Sequence, residues 1–220
     1  MGKIKNYIQK LHKSSKRNYK KRMLDRKVYC MKIAKKYGKQ YWDGNRKFGY
    51  GGYRYIPGRW ESVAKKLIID YKLSNKSNIL DLGCGKGYLL YEIKKILPNI
   101  QITGLDYSRY AISNSHPLIK KNIKYHNCKH KLKYKDKFFD LVISTGVLHN
   151  LKLHDLIFCL SEISRTGKKN YIMVESYRNE QELYNLQCWA LTCETFMDKK
   201  TWVNLINKFK NIDYEFIYFE

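Results

Sequence analysis

The chain has no apolar run long enough to span a bilayer; its longest are the length of a β-strand. No apolar signal segment is visible among its opening residues. Six cysteines (Cys30, Cys84, Cys128, Cys159, Cys188 and Cys193) lack the paired spacing of a zinc site or a disulfide framework. These absences point to a cytoplasmic protein with reduced thiols. Acidic side chains are scarce, 19 against 44 basic ones, which leaves a net charge of +25. Such a field attracts anions. The chain is also heavy in Asn, Ile and Tyr, with 20 tyrosines, so the charge alone does not argue for a nucleic-acid partner. No internal repeat is found, and 220 residues suit one domain with an adequate core.

What is present is organised around residues 77–88. Residues 79–82 read as a short buried strand stopped by glycine. Gly83, Gly85 and Gly87 follow at alternate positions. From Tyr88 the pattern turns helical, with Leu89, Ile93, Ile96 and Leu97 on one face until Pro98 stops it. A strand that breaks on glycines into a helix is a nucleotide-binding turn, because backbone without Cβ admits a ligand closely. Single residues then exclude two ligands. A phosphate loop needs Ser or Thr after Gly-Lys, and Lys86 is followed by Gly87. A dinucleotide fingerprint needs a third small residue where Tyr88 stands.

The next strand, residues 101–105, leads to Asp106, 19 positions after Gly87. A carboxylate there can accept both ribose hydroxyls of an adenosyl group, and Ser108 offers an N-cap for the following helix. Residues 138–144 form a fourth strand and 147–151 the loop beyond it. In this order, the Asp-x-Gly-x-Gly-x-Gly motif, the acidic strand end and the fourth strand resemble class I S-adenosylmethionine-dependent methyltransferases. The resemblance implies an α/β, Rossmann-like fold, a mostly parallel central sheet with helices on both faces. Residues 1–60 would be a basic helical extension and lid, and 61–220 the methyltransferase domain. It implies S-adenosylmethionine as cofactor, held by Tyr41, Asp81, Gly83, Cys84, Gly85, Gly87, Asp106, Tyr107, Asn127, Cys128 and Thr145. Asn127 and Cys128, after the third strand at 123–127, stand where the family more often has an acidic residue.

Residues 1–37 carry fourteen Lys and Arg against one acid, Asp25. Tyr19, Met23, Leu24, Val28 and Met31 recur at helical spacing, which predicts an amphipathic helix over 18–36, docked through that stripe. The alternative is an arm that grips RNA or an anionic membrane surface. Residues 38–60 alternate glycines and aromatics, with Arg46, Arg54 and Arg59 among them. So long a loop is functional or disordered, and its aromatics argue against disorder. By the resemblance it folds over cofactor and acceptor, bringing Tyr41 and Trp42 to the sulfonium side. Trp42, Arg46, Arg59 and Trp60 are then acceptor-binding candidates, the arginines gripping an anion. An aromatic plug over the sheet edge is the other reading.

Further along, Trp60, Val63, Ala64, Leu67, Ile68 and Tyr71 mark a core-facing helix. The loop of Lys129, Lys131, Lys133, Lys135 and Lys137 reads as solvated. A fifth strand is expected at 170–175, a helix-like stripe without clear capping at 183–196, and a helix capped by Asp198. A single strand, 213–219, ends the chain where the family normally places two.

An oxygen acceptor needs its proton removed. His149, past the fourth strand, is the leading base, with Glu175 and Glu194 the next candidates. Together the three could instead hold a divalent metal that lowers the pKa of an acceptor hydroxyl. Tyr-Trp-Asp-Gly (41–44), Tyr-Gly-Gly-Tyr (50–53), Gly-Arg-Trp (58–60), Leu-His-Asn-Leu (148–151), Glu-Ser-Tyr-Arg-Asn-Glu (175–180) and Thr-Cys-Glu (192–194) resemble small bacterial methyltransferases of surface-polysaccharide assembly. That narrower likeness implies a small polar, anionic acceptor: a sugar, a nucleotide-linked sugar or a phosphorylated precursor. The alternative class is an RNA methyltransferase, or a basic RNA-binding protein retaining the cofactor fold. It is less favoured, because no RNA-binding module is recognisable and no Asn-Pro-Pro-Tyr follows the fourth strand.

Overall fold

Neighbouring residues of a strand point to opposite faces, and here both faces are apolar, the mark of strands buried in a parallel sheet. In the computed structural model, which describes residues 2–14 and 17–220, the strands are β1 (Asn78–Leu82), β2 (Gln101–Asp106), β3 (Ile123–Tyr125), β4 (Phe139–Thr145), β5 (Gly167–Glu175) and β6 (Ile212–Ile217). They form one sheet in the order β3-β2-β1-β4-β5-β6, and every neighbouring pair is parallel. The helices, in chain order, are α1 (Gln9–Lys13), α2 (Tyr19–Leu24), α3 (Lys27–Ala34), α4 (Lys39–Trp42), α5 (Glu61–Tyr71), α6 (Tyr88–Ile96), α7 (Arg109–Ser113), α8 (Leu153–Thr166), α9 (Glu180–Trp189) and α10 (Lys199–Ile206). Ile79, Leu141, Ile143 and Tyr171 pack on one side with Val63 and Leu67 of α5 and Leu90 and Ile93 of α6. Leu80, Val142, Ile172 and Val174 face the other side, against Leu156 and Leu160 of α8 and Trp202 of α10. The chain order reverses between β1 and β4, and the crevice at such a switch point is where open α/β sheets take ligands.

The sheet ends at β6. Its outer edge is partly covered by the N-terminus: Ile4 bridges Tyr214 in parallel, with Lys5 N donating to Tyr214 O at 2.8 Å. This contact shields an edge that would otherwise offer unpaired backbone groups. The next turn of chain is held by a buried carboxylate. Glu215 Oε2 accepts from Tyr7 N at 2.7 Å, and Oε1 from Ile8 N and Gln9 N, both at 2.8 Å. The Tyr171 hydroxyl donates to Oε2 at 2.6 Å.

The expected helix over 18–36 is two helices, α2 and α3, because Arg26 turns left-handed (φ 47°) between them. The break resets the helical phase, so only the ends of the apolar stripe dock, Tyr19 and Met31 packing against buried residues while its middle turns outward. Leu24 is 77% exposed and Val28 67%, whereas Cys30 and Ala34 are buried against Leu191. The stripe expected at 183–196 starts earlier, as α9, and Asn179 supplies its cap by accepting from Glu182 N at 2.9 Å. Ser108 and Asp198 cap α7 and α10, accepting from Ala111 N and Thr201 N at 3.0 Å each. Among the described residues, no helix is long and apolar enough to cross a membrane.

Candidate active site

A cavity of about 370 Å³ opens beyond the carboxyl ends of β1, β2 and β4, beside the switch point. The size suits a small-molecule or cofactor site. Its floor is Leu82, Gly83, Leu105, Asp106 and Thr145, and its side is Asn127, Cys128 and Asn150. The turn after β1 is built for close approach. Gly83 has φ 86°, and a Cβ there would lie 2.1 Å from Val147 Cγ2. Gly85 has φ 57°, and a Cβ there would lie 2.8 Å from Trp42 Cη2, so the lid's indole rests directly on the glycine turn.

Asp106 organises that turn. Its Oδ2 accepts from Gly85 N and its Oδ1 from Ser108 N, each at 2.7 Å. Burial raises its carboxyl pKa, and the backbone N–H groups of Ser108, Gly85 and Tyr107 pull it back down. Asp81, in the strand beneath, is pushed up to about 8 by burial and then by the charge of Asp106. Its Oδ1 and the Oδ1 of Asn150 are buried acceptors without a hydrogen-bond partner among the described residues. The Asp106 carboxylate and the unmet acceptor of Asn150, both on the cavity lining beside a bare glycine turn, suit a ligand rich in donors. S-adenosylmethionine, with its ammonium, sulfonium and ribose hydroxyls, fits that demand.

The lid is pinned by contacts that no motif announces. Trp42 Nε1 donates to Ser108 Oγ at 2.9 Å and to Tyr37 O at 3.1 Å. Lys86, inside the glycine motif, is buried and donates to Asp43 Oδ1 at 2.8 Å, Oδ2 at 2.7 Å and Tyr53 O at 2.7 Å. Tyr110 adds a hydroxyl donor to Asp43 Oδ2 at 2.9 Å. Residues 38–60 are therefore tied to the site rather than plugged over a sheet edge.

The structure places the expected site residues unevenly. Tyr41, Trp42, Gly83, Asp106, Tyr107, Asn127, Cys128, Thr145 and Glu194 line the cavity. Asp81, Cys84, Gly85 and Gly87 shape the turn without lining it. Arg46 and Arg59 do not reach it: Arg59 is exposed, and Arg46 stands 5.1 Å from the ring centre of Trp189 with Nη1 donating to Gly49 O. Trp60 packs at the head of α5 instead. Lys35 and Tyr37, which sequence reading passed over, are on the wall, as are Tyr50, Asn150 and Thr192, which it quoted within motifs without naming them as site residues. The pairing of Tyr37 with Gly38, next to the aromatic loop, was the available signal. Lys129, read as solvated, also lines the cavity and pairs with Asp155 at 2.8 Å.

His149 lies behind the wall, not on it. Its Nδ1 accepts from Glu175 N at 3.2 Å, so the proton sits on Nε2, 3.4 Å from Glu175 Oε2. Burial lowers the pKa, Glu175 opposing it, and the ring's free pair is already engaged. The His149 carbonyl accepts from Glu194 N at 2.9 Å and Thr195 N at 3.0 Å, fixing the segment that carries Glu194. Glu194 itself points to Lys35 Nζ at 2.5 Å. The three residues therefore do not converge as a metal site. Among the described residues, no group of three or more His, Cys, Asp or Glu side chains could hold a metal ion.

A second neutral histidine makes the pH behaviour testable. His12 Nε2 donates to Tyr218 O at 3.0 Å and Nδ1 accepts from Arg17 Nη2 at 3.1 Å. Burial, and then Arg17, lower its pKa from 6.5 to about 4. The unfolded chain takes up this proton first, so the contribution of His12 to stability is complete above pH 6.5 and is lost as pH falls towards 4. Denaturant midpoints measured across that range should fall with pH, and His12→Asn should flatten the slope. An unchanged slope in the variant would remove His12 from the account.

A parallel sheet with a glycine turn, a carboxylate ending β2 and an aromatic lid over the cleft is the architecture of a class I, S-adenosylmethionine-dependent methyltransferase. A family model described as a methyltransferase domain matches residues 73–218, and the chain belongs to that family. A Haemophilus influenzae (strain PittEE) protein named ribosomal RNA small subunit methyltransferase C is 35% identical over 88 residues, covering 37% of this chain and 25% of that protein. The matched stretch thus spans a quarter of that relative's length. Among solved structures, a chain of the complex containing the Haloferax volcanii Trm112 methyltransferase activator aligns with a TM-score of 0.53 at 18% identity, covering 70% of this chain and 76% of that one. Bacillus subtilis YcgJ aligns with a TM-score of 0.52 at 16% identity, covering 66% of each chain. At such identities the likeness concerns the fold.

Proposed function

We propose that the protein transfers the methyl group of S-adenosylmethionine to a small polar, anionic acceptor: a sugar, a nucleotide-linked sugar or a phosphorylated precursor in surface-polysaccharide assembly. The observation that carries this reading is the roof. Tyr37, Tyr41, Trp42 and Tyr50 overhang the cavity, and the loop bearing them is anchored through Asp43 to Lys86. A site roofed in this way suits a compact acceptor better than a folded nucleic acid. The cofactor supplies an activated methyl on a sulfonium, so the chain's task is to bind, align and deprotonate the acceptor.

With His149 engaged elsewhere, Glu194 takes the role of base in this reading. Among the described residues it is, besides Asp106, the carboxylate on the cavity wall, and Asp106 is committed to the backbone of the turn. Glu194→Gln should lower turnover by roughly 10²-fold while leaving cofactor affinity intact. Equal turnover in the variant and the parent would return the role to positioning alone.

The second reading, an RNA acceptor, is favoured by the name of the curated relative and by the net charge of +25. Salt separates the two. Binding through many lysines to phosphates weakens steeply between low and moderate salt, whereas turnover of a small acceptor responds mildly.

A further inference from the structure

The corner between α2 and α3 leaves large apolar side chains in water. Met23 and Leu24 end α2, Val28 and Tyr29 begin α3, and all four are exposed, Leu24 at 77% and Val28 at 67%. Arg26 N donates to Leu24 O at 3.0 Å, so a tight left-handed turn folds the two helix ends together and keeps these side chains close. The docked side of the corner is separate: Cys30 and Ala34 are buried with Leu191, and Met31 packs against them. A lone exposed apolar residue is ordinary on a protein surface, but four at one turn form a patch that a partner can cover.

Cations surround the patch. Lys20, Lys21, Arg26, Lys32 and Lys36 are exposed along the same two helices and their ends. Among the described residues, none of these five forms an ion pair with a carboxylate. Lys35, also exposed, is taken by Glu194. The acid of the segment, Asp25, is half-buried, and its charge acts on Arg22.

The occupant must therefore accept aliphatic side chains and cations at once. An anionic bilayer does both: its phosphates attract the lysines, and the boundary between headgroups and acyl chains takes Leu24 and Val28. A second copy of this chain would bring the same cations face to face and be repelled. Single-stranded RNA attracts lysines but uses open aromatic faces rather than Leu or Val. The aromatic of the patch is already engaged, since Arg26 stands 4.7 Å over the Tyr29 ring and Phe48 packs 6.0 Å from it.

We propose that the α2–α3 corner docks the protein reversibly on an anionic membrane surface, with Leu24 and Val28 inserted and the surrounding lysines on lipid phosphates. The inference rests on this surface and not on the identity of the methyl acceptor. It gives the basic extension a task outside the cavity and fixes where the site then stands. Lys35, at the C-terminal cap of α3, lines the cavity. Seven residues of helix separate it from Val28, so the inserted residues lie about 10 Å along one helix from the cavity wall.

The test is sedimentation of the whole chain with vesicles at physiological salt, where long-range attraction is screened. One set is phosphatidylcholine alone and the other an equal mixture with phosphatidylglycerol. The parent should sediment with the mixed vesicles and stay in solution with the neutral ones. Leu24→Ser combined with Val28→Ser should weaken binding at least about tenfold, since the inserted apolar area is lost. Lys20→Gln, Lys21→Gln and Lys32→Gln together should weaken it likewise, while Ile69→Ser, an equally exposed position on α5, should leave it unchanged. Thermal unfolding checks that each variant is folded. Failure of the parent to bind the mixed vesicles overturns the proposal. So does undiminished binding by the Leu24→Ser, Val28→Ser variant, which would reduce the contact to adsorption by charge. Polyuridylate binding serves as the control for RNA: equal affinity in parent and apolar variant is expected, and a loss confined to the variant would assign the corner to RNA instead.

Discussion

Replacing Asp106 by Asn should weaken S-adenosylmethionine binding by roughly 10²-fold or more, since charge-assisted hydrogen bonds contribute about 1.5–3 kcal/mol each. The isosteric change is severe because of what the carboxylate does in the fold. Both its oxygens accept from backbone N–H groups, Gly85 on one and Ser108 on the other. An amide offers one acceptor and one donor, so one of those N–H groups would face another donor. The glycine turn would then lose its tether beside the proposed ribose position. Loss of the negative charge also removes attraction for a cationic ligand. Calorimetry with S-adenosylhomocysteine and with S-adenosylmethionine separates the two contributions, because only the latter carries the sulfonium. Equal affinity in variant and parent would displace Asp106 from the cofactor site.

Glu215→Ala should be the most destabilising single change described. The carboxylate is buried and accepts from three consecutive backbone N–H groups and from the Tyr171 hydroxyl. Removing it strands several buried donors, each costing about 1–3 kcal/mol, so a total near 3–5 kcal/mol is expected. For a chain of this size that corresponds to a fall in Tm on the order of 10 °C. The damage should begin at the N-terminus, since the tether holds residues 7–9 to β6. Hydrogen exchange should show those amides exposed while the β1 to β4 centre stays protected. A uniform loss of protection, or a Tm within 2 °C of the parent, would show that the edge is held by other means.

The two residues illustrate what the sequence by itself determined. The first half of the sheet was legible because its structure is local: a strand, a glycine turn, a helix and an acidic strand end follow one another, and each depends on neighbours only a few residues away. The class, the parallel sheet, the helix over Glu61–Tyr71 and the caps Ser108 and Asp198 could be read for the same reason. The acceptor half was not legible, because its residues meet only across long separations. Glu194 reaches the cavity wall through the His149 carbonyl, and Lys86 finds its partner in the lid. The arginines placed at an acceptor by their position in the loop turned to Trp189 or to solvent. Helical periodicity failed over residues 18–36 because one left-handed residue, Arg26, reset the phase. Spacing can say which residues share a face while the backbone stays regular. Which side chain accepts a given proton or anion depends on where the turns end and what they bury, and that was decided by the tertiary structure alone.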